Sequence, residues 1–185
     1  MALLTHDLGD GRALRLYEER DADELYQLIE ANRHHLSQWL GWAIASTHAD
    51  TVAFIRQGLR QLADNQGLQL AIVDRGRIVG TIGQHLVDWR NRFTSLGYWL
   101  AADAQGRGTM TAAVRALVDH AFADWGIERV EIRAGIENSR SRAIPERLGF
   151  REEGVLRHAE LIGERWIDHV AYAIVADEWT RRDRG

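Results

Sequence analysis

Hydrophobic residues recur along the chain with two different spacings, one typical of helices and one typical of strands. Apolar positions three and four residues apart predict helices over residues 21–31, 48–64, 110–125 and 139–148. Alternating apolar and polar positions predict strands over residues 13–17, 68–74, 78–87, 93–100 and 129–134, and a final hairpin that pairs 154–162 with 165–175. A tight turn over residues 74–77 predicts an antiparallel pair at that point. This order of elements indicates a mixed α/β domain built on one central sheet.

The pattern does not divide into separate domains. The sequence has a single proline, Pro145, and neither a low-complexity stretch nor a repeat, so we expect one domain over residues 1–185. Its 45% hydrophobic and 27% charged residues suit a globular protein with a sizeable core. No apolar run approaches the roughly 18 residues of a membrane helix, and the N-terminus lacks the order of a signal peptide. We therefore expect a cytoplasmic protein with no membrane partner.

Two residue types are missing from the sequence, and each absence excludes some chemistry. The lack of cysteine excludes disulfides, thiolate metal sites and a cysteine nucleophile. All 23 residues counted as lysine or arginine are arginine, which excludes a Walker-type lysine, a kinase lysine and a Schiff base. The eight histidines do not suggest a metal site, so no metal is expected.

The charge balance argues against a nucleic-acid partner. The formal net charge is −4, whereas phosphate neutralisation needs a clustered positive face. The only dense cluster, Arg181, Arg182 and Arg184, lies in the tail and is interrupted by Asp183, so we expect it to be solvated.

A glycine-rich segment, residues 103–111, carries the main candidate chemistry between a predicted strand and a predicted long helix. Its glycines free the backbone to turn N–H groups toward one point, and the helix adds the positive end of its dipole. Arg107, Thr109 and Thr111 can add hydrogen bonds to a phosphate or pyrophosphate. A helix start that needs glycine only for packing is the alternative.

The motifs around this segment occur in an order that resembles a known family. Gln105-x-x-Gly108-x-Met110 stands between Gly-Tyr-Trp-Leu at 97–100 and a segment that begins Asn-Ser-Arg-Ser at residue 138. This combination resembles the GNAT superfamily of acetyl-CoA-dependent N-acetyltransferases, although Met110 replaces the small residue that ends the loop motif. The loop is most similar to that of the RimJ/RimL-type ribosomal-protein N-terminal acetyltransferases. Further similarity to that branch lies in Asn32-Arg33, Leu36, Trp39-Leu40-x-Trp42 and Glu160.

The resemblance implies a twisted, mostly antiparallel sheet of about seven strands flanked by about four helices. The sheet is expected to splay between its fourth and fifth strands, 93–100 and 129–134, with acetyl-CoA in the splay. Exposed backbone at Trp99, Leu100 and Ala101 would pair with the pantetheine arm. The remaining groups expected to contact acetyl-CoA are Gln105, Gly106, Arg107, Gly108, Thr109, Met110, Thr111, Asn138, Ser141 and Arg147.

By the same resemblance, Glu160 is the expected general base and Ser141 the expected proton donor to the departing thiolate. His158, two residues before Glu160, is expected to share its strand face and to contact the acceptor. The alternatives are a surface pair of Glu160 with Arg165, and simple helix capping by Asn138 and Ser141.

The acceptor is the least determined part of this interpretation. Trp39 and Trp42 lie between two predicted helices, where the resemblance places the acceptor site, and half-buried loop anchors are the alternative. The expected acceptor is the N-terminal α-amino group of a ribosomal protein. A small amine, such as an antibiotic, a polyamine or an aminoacyl nucleotide, is the alternative. Ser95, which stands where relatives often have glutamate, leaves a non-catalytic acyl-CoA-binding module as a third. A homodimer is also compatible with the resemblance.

Overall fold

The protein, described for residues 5–182 by a computed structural model, consists there of eight strands and five α-helices. The strands are β1 (Thr5–Gly9), β2 (Arg12–Leu16), β3 (Gln69–Asp74), β4 (Arg77–Asp88), β5 (Phe93–Leu100), β6 (Arg129–Gly135), β7 (Arg151–Ile162) and β8 (Arg165–Val175). The helices are α1 (Ala22–Leu36), α2 (His48–Ala63), α3 (Thr109–Ala123), α4 (Ser139–Arg147) and α5 (Ala176–Arg182). No helix within these residues is both long and apolar enough to cross a membrane.

Two elements exceed the predicted number of about seven strands and about four helices. Strand β1 has four exposed residues out of five, so it lacks the apolar alternation that reveals a strand. It forms because β2 pairs with it, from Thr5 opposite Arg15 to Gly9 opposite Arg12. Helix α5 has only seven residues, too few for a clear helical period. Asp183 and Arg184 of the basic tail lie outside the described residues.

All eight strands join one sheet in the order β1-β2-β3-β4-β5-β6-β8-β7. Only β5 and β6 run parallel among these neighbours, and they pair from Phe93 opposite Arg129 to Leu96 opposite Ile132. Beyond Leu96 the two strands separate, while β5 stays paired with β4 and β6 stays paired with β8. The mixed fold and its splay between the predicted strands 93–100 and 129–134 are therefore confirmed.

Helices cover both faces of the sheet, and each face has its own hydrophobic cluster. On one face, Val114 and Leu117 of α3 pack with Ile82, Leu96 and Ile132 of the central strands. On the other face, α1 and α2 contribute Leu25, Ile29 and Ile55, which pack with Ala71 and Val73 of β3. Because strand side chains alternate between faces, odd-numbered residues of β5 lie on the α1 side and even-numbered residues on the α3 side.

A partly buried ion pair ties β2 to the start of α1. The two terminal nitrogens of Arg15 donate to the two carboxylate oxygens of Asp21 at 2.6 and 2.9 Å. The N–H of Glu18 adds a third hydrogen bond to Asp21 at 2.8 Å. Burial raises the pKa of Asp21, but the bonds from Arg15 and Glu18 outweigh burial and hold that pKa below its ordinary value. The charged carboxylate therefore stabilises this junction.

We expect Asp21→Asn to lower the free energy of unfolding by about 2 kcal/mol at pH 7, because Arg15 loses its charged partner. The folded pKa of Asp21 lies below its unfolded value, so the contribution is complete above the unfolded pKa and is lost as the pH falls. Urea unfolding at pH 7, 5 and 3 should therefore show a shallower acid loss for the variant. Asp23→Asn, at a carboxylate that is 82% exposed, serves as the control and should follow the wild-type curve.

Candidate functional site

The glycine-rich segment forms a tight loop between β5 and α3. Gly106 and Gly108 adopt φ angles of +78° and +76°, a left-handed conformation that side chains with a Cβ disfavour. Gly108 is the N-cap of α3 and no side chain caps this helix. The first N–H groups of α3 have no partner within the helix, and the helix dipole is positive at this end. The loop therefore has the backbone geometry that an anion site needs, and its contact with a phosphate stays a prediction.

This loop forms one wall of a cleft of about 1330 Å³ that opens along the splay between β5 and β6. The opposite wall is the first turn of α4, and the end of α1 closes one side. Arg115, Arg140 and Arg147 supply the cationic side chains of its lining. The cleft brings together most of the predicted contacts: Trp39, Trp99, Leu100, Gln105, Gly106, Gly108, Thr109, Met110, Thr111, Asn138, Ser141 and Arg147.

The backbone groups that face the splay differ by one residue from those predicted. The N–H of Ala101 donates to the carbonyl of Val79 on β4 at 2.9 Å, so it is turned away from the cleft. Backbone groups alternate in direction along a strand, so Trp99 also bonds toward β4, and Tyr98 and Leu100 face the splay. The prediction is therefore wrong for the backbone of Trp99 and Ala101, and it omitted Tyr98.

Arg107 does not point into the cleft. Its guanidinium donates to the carbonyl of Asp103 at 3.0 Å and lies 3.6 Å from the carboxylate of Asp74. An arginine from β2 supports the loop instead: Arg12 donates to the carbonyl of Arg107 at 2.9 Å and to the hydroxyl of Thr109 at 3.2 Å. The guanidinium of Arg107 is therefore not placed to contact a phosphate in the cleft, contrary to the expectation from the sequence. The guanidinium of Arg147 does lie beside the loop, where it donates to the hydroxyl of Thr111 at 2.9 Å.

Two cleft residues that the sequence did not single out join the loop to α1 and α4. The amide of Gln105 contacts His35 of α1 at 2.8 Å and accepts from Arg140 of α4 at 3.0 Å. Burial, followed by the positive charge of Arg140, lowers the pKa of His35. These contacts join three elements that are distant in sequence, and no local motif marks them.

Asn32 and Arg33 hold the segments on either side of the cleft. The side chain of Asn32 accepts from the N–H of Ala102 at 2.9 Å, which fixes the chain just before the glycine loop. The guanidinium of Arg33 donates to the carbonyls of Ala43 and Ser46, the latter at 2.7 Å. Similarity at this dipeptide is therefore explained by two tertiary supports rather than by contact with a substrate.

Asn138 and Ser141 divide the two roles predicted for them. Asn138 is the N-cap of α4, and its side chain accepts from the N–H of Ser141 at 3.1 Å. Ser141 lines the cleft, and its hydroxyl is not part of this cap. Nearby, Tyr98 donates to the carbonyl of Ser141 at 3.2 Å, and burial raises the pKa of Tyr98, so its hydroxyl stays protonated.

Glu160 lies on β7 beside the loop that follows α1. One carboxylate oxygen accepts from the N–H of Gly41 at 3.2 Å, and the other is 3.4 Å from Nε2 of His169 on β8. Arg165 donates to the carbonyl of Gln38 instead, and the strand partner of Glu160 is Ile167. The alternative of a surface pair between Glu160 and Arg165 is therefore not what the structure contains.

The expectation that His158 shares a strand face with Glu160 is wrong. The register between β7 and β8 shifts between Leu156 and Glu160, and His158 has a φ of +51° within this bulge. Its ring stacks on Trp166 with centroids 5.3 Å apart, and Trp166 lies on the face opposite Glu160. From Leu156 to Glu160, β7 advances four residues while β8 advances two, so the alternation of side chains is broken at His158 and its ring lies on the side of Trp166 rather than that of Glu160.

The two tryptophans of the segment after α1 lie in different places. Trp39 lines the cleft and packs over Gly135 at the end of β6, where an added Cβ would lie 3.4 Å from its ring. Trp42 is 46% exposed, and its ring centroid is 6.2 Å from that of Trp99. Trp42 and Trp99 thus form an aromatic surface, and Trp42 directly follows Gly41, the residue that donates to Glu160.

Ser95 lies on the α1 side of β5, opposite Glu131 of β6. Glu131 is buried, and both Arg129 and Arg133 donate to its carboxylate. This carboxylate is already paired, so it does not replace the glutamate that relatives often have at Ser95. Within residues 5–182, no group of three or more His, Asp or Glu side chains is placed to hold a metal ion.

Comparisons with known proteins agree with this geometry. The family model for the acetyltransferase (GNAT) domain matches residues 13–151. YdaF of Bacillus subtilis (strain 168), which carries the name of a ribosomal N-acetyltransferase, is 36% identical over 96% of this chain and 98% of its own length. The ribosomal-protein-serine acetyltransferase of Escherichia coli (strain K12) is 26% identical over 94% of this chain and 97% of its own. The structure of the microcin C7 self-immunity acetyltransferase MccE with acetyl-CoA and AMP is 30% identical, has a TM-score of 0.87, and is matched over 94% of this chain and 97% of that one.

We expect Gly108→Ala to weaken the binding of coenzyme A by roughly five- to thirtyfold, because an alanine at this φ costs about 1–2 kcal/mol and favours a relaxed loop. Calorimetric titration of wild type and variant with coenzyme A measures the change. Gly126→Ala, at a glycine with φ +62° just after the other end of α3, carries similar strain and should bind coenzyme A like the wild type. Equal weakening in both variants would contradict the role of the loop.

Proposed function

The chain belongs to the GNAT family of acetyltransferases, and from that premise we propose that it transfers the acetyl group of acetyl-CoA to the N-terminal α-amino group of a ribosomal protein. The observation that carries this proposal is the cleft itself, in which an uncapped helix end and a splayed strand edge lie side by side. Both are needed for a cofactor that has a pyrophosphate at one end and an amide-containing arm at the other.

The residues of the cleft fit acetyl-CoA part by part. The backbone groups of Tyr98 and Leu100 offer the pantetheine arm the partners that an added strand would use. The N–H groups from Gly106 to Thr111 suit the pyrophosphate, and Arg147 at the outer wall suits the 3′-phosphate. MccE, 30% identical, was solved with acetyl-CoA, which supports the same cosubstrate here.

The reaction needs a neutral amine, a polarised carbonyl and a proton for the leaving thiolate. An α-amino group has a pKa near 8, so an appreciable fraction is already neutral at pH 7. Its nitrogen attacks the thioester carbon, the C–S bond breaks, and an N–C bond forms. A backbone N–H at the splay stabilises the negative charge on the carbonyl oxygen. The products are the acetylated amine and coenzyme A.

Glu160 and Ser141 provide the two proton transfers. The carboxylate of Glu160 accepts the proton that the amine nitrogen loses, directly or through one water, and later releases it to solvent. The hydroxyl of Ser141 gives its proton to the thiolate sulfur and regains one from solvent. Their supports differ, since Glu160 is held by Gly41 and His169, and Ser141 by the cap of Asn138.

The protein acceptor is supported by the names of two relatives, both ribosomal acetyltransferases that match almost the whole chain. The aromatic surface of Trp42 and Trp99 favours a second candidate, an aminoacyl nucleotide, because a half-exposed indole suits stacking with a base. MccE, which was solved with AMP as well as acetyl-CoA, supports this candidate. A non-catalytic acyl-CoA-binding module has only the departure at Ser95 in its favour.

The proposal also covers the extent of the domain, its location in the cell and its partners. Residues 1–185 act as one acetyltransferase domain in the cytoplasm, without a nucleic-acid partner. A homodimer is supported by β7, which is one of the two edge strands of the sheet and carries exposed apolar side chains at Val155, Leu156 and Leu161.

The proposal is tested by the release of coenzyme A thiol from acetyl-CoA in the presence of N-terminal peptides of ribosomal proteins, and separately of polyamines and aminoacyl nucleotides. We expect turnover with peptides and a loss of roughly 10²–10⁴-fold in kcat/KM for Glu160→Gln, because the base is removed. Ser141→Ala should lower kcat, with the affinity for acetyl-CoA retained.

Glu164→Gln, in the exposed turn of the same hairpin, is the control and should keep wild-type activity. Turnover confined to aminoacyl nucleotides would replace the first candidate with the second. Tight binding of acetyl-CoA with no thiol release for any amine would favour the binding module.

A further inference from the structure

The environment of Glu160 contains a histidine, His169, that the sequence did not assign to the site. His169 lies on β8 opposite Gly135, the last residue of β6. Its side chain is 17% exposed, and Nε2 lies 3.4 Å from the carboxylate of Glu160. Glu160 pairs with Ile167, so Glu160, Ile167 and His169 share one face of the hairpin. Among residues 5–182, His169 is the basic side chain within ion-pair distance of this carboxylate.

The carboxylate of Glu160 is held from two directions. Gly41, in the segment that follows α1, donates its N–H to one oxygen at 3.2 Å. The imidazole of His169 faces the other oxygen from β8. Each carboxylate oxygen has two lone pairs, so two contacts still leave acceptor capacity for the proton of an amine or a water. The base can therefore be fixed in orientation without being blocked.

The 3.4 Å distance from Nε2 of His169 to the carboxylate of Glu160 is long for a hydrogen bond. Contacts in a catalytic centre are often long before the substrates bind and shorten in the reactive complex. A glutamate side chain that is 32% exposed has rotamers directed to solvent, and each such rotamer removes the base from the amine. A second anchor reduces the population of these rotamers and so keeps the carboxylate directed at the amine.

We propose that His169 is a positioning residue that holds Glu160 in the orientation required for proton transfer from the acceptor amine. This inference rests on the proposed role of Glu160 as the base. It adds a coupling between two strands and a loop, because the groups that hold the carboxylate come from β8 and from the segment that contains Gly41 and Trp42. The site that surrounds the amine thus also orients the group that deprotonates it.

A double-mutant cycle tests the proposal with His169→Ala, Glu160→Gln and the double variant. We expect His169→Ala to lower kcat by roughly tenfold to hundredfold, the cost typical of a displaced catalytic group, with the affinity for acetyl-CoA unchanged. In the Glu160→Gln background the same change should have less than about a twofold further effect, because His169 acts only through Glu160. His169→Gln keeps an N–H donor and should recover most of the loss.

Two outcomes separate the possible failures, and one variant serves as the control. Equal losses from His169→Ala in both backgrounds would overturn the positioning role while leaving Glu160 as the base. Full activity of Glu160→Gln would overturn the base and the inference together. The control is His48→Ala, because His48 lies away from the cleft and its imidazole is paired with Asp23 at a distance of 2.7 Å. This variant should not change kcat.

A readout without an acceptor is the amide resonance of Gly41, which reports its bond to Glu160. We expect His169→Ala and Glu160→Gln to shift this resonance in the free protein, and His48→Ala to leave it in place. An unmoved Gly41 resonance in His169→Ala would contradict the proposal whatever the acceptor is.

Discussion

The short parallel ladder between β5 and β6 is the constraint on which the rest of the structure depends. The two strands pair over only four register positions and then diverge. Each remains bonded on its outer side, β5 to β4 as far as Leu100 and β6 to β8 as far as Gly135, so the gap is held open from both edges. Backbone groups that face such a gap need partners, and a ligand that supplies them gains affinity from that need.

The same divergence collects the functional groups. The chain leaves β5 into the glycine loop and leaves β6 into the cap of α4, so two helix N-termini flank one opening. The anion site, the strand edge and Ser141 therefore come from segments next to the splay in sequence. Glu160 is different, because it lies on the last hairpin and depends on Gly41 and His169 for its place. The proposed cofactor site is built from local structure, and the proposed base is positioned by tertiary contacts.

This difference explains how much of the protein could be predicted from its sequence. Periodicity predicted α3 at 110–125, and the helix runs over Thr109–Ala123, because its apolar stripe is long and regular. The glycine loop was predictable because its conformation depends on its own residues, Gly106 and Gly108, which adopt positive φ angles. The sheet face on which His158 lies and the direction of the Arg107 side chain could not be predicted. Both depend on distant segments, His158 through a bulge in the pairing of β7 with β8 and Arg107 through its pairing with Asp74. His35 and His169 carry no local signal for the same reason, and the contact of Arg140 with Gln105 is likewise set by the tertiary fold.

The cationic residues that line the cleft, Arg115, Arg140 and Arg147, have one further consequence. A thioester is an acylating agent toward any neutral amine near it, and a lysine beside the cofactor would compete with the intended acceptor. Guanidinium groups stay protonated and are poor nucleophiles, so these side chains attract phosphates without consuming the acyl group. With no lysine among its 185 residues, the chain offers its own loaded cofactor no side-chain amine. Acetyl-CoA bound in the cleft therefore has no lysine of this chain to acetylate.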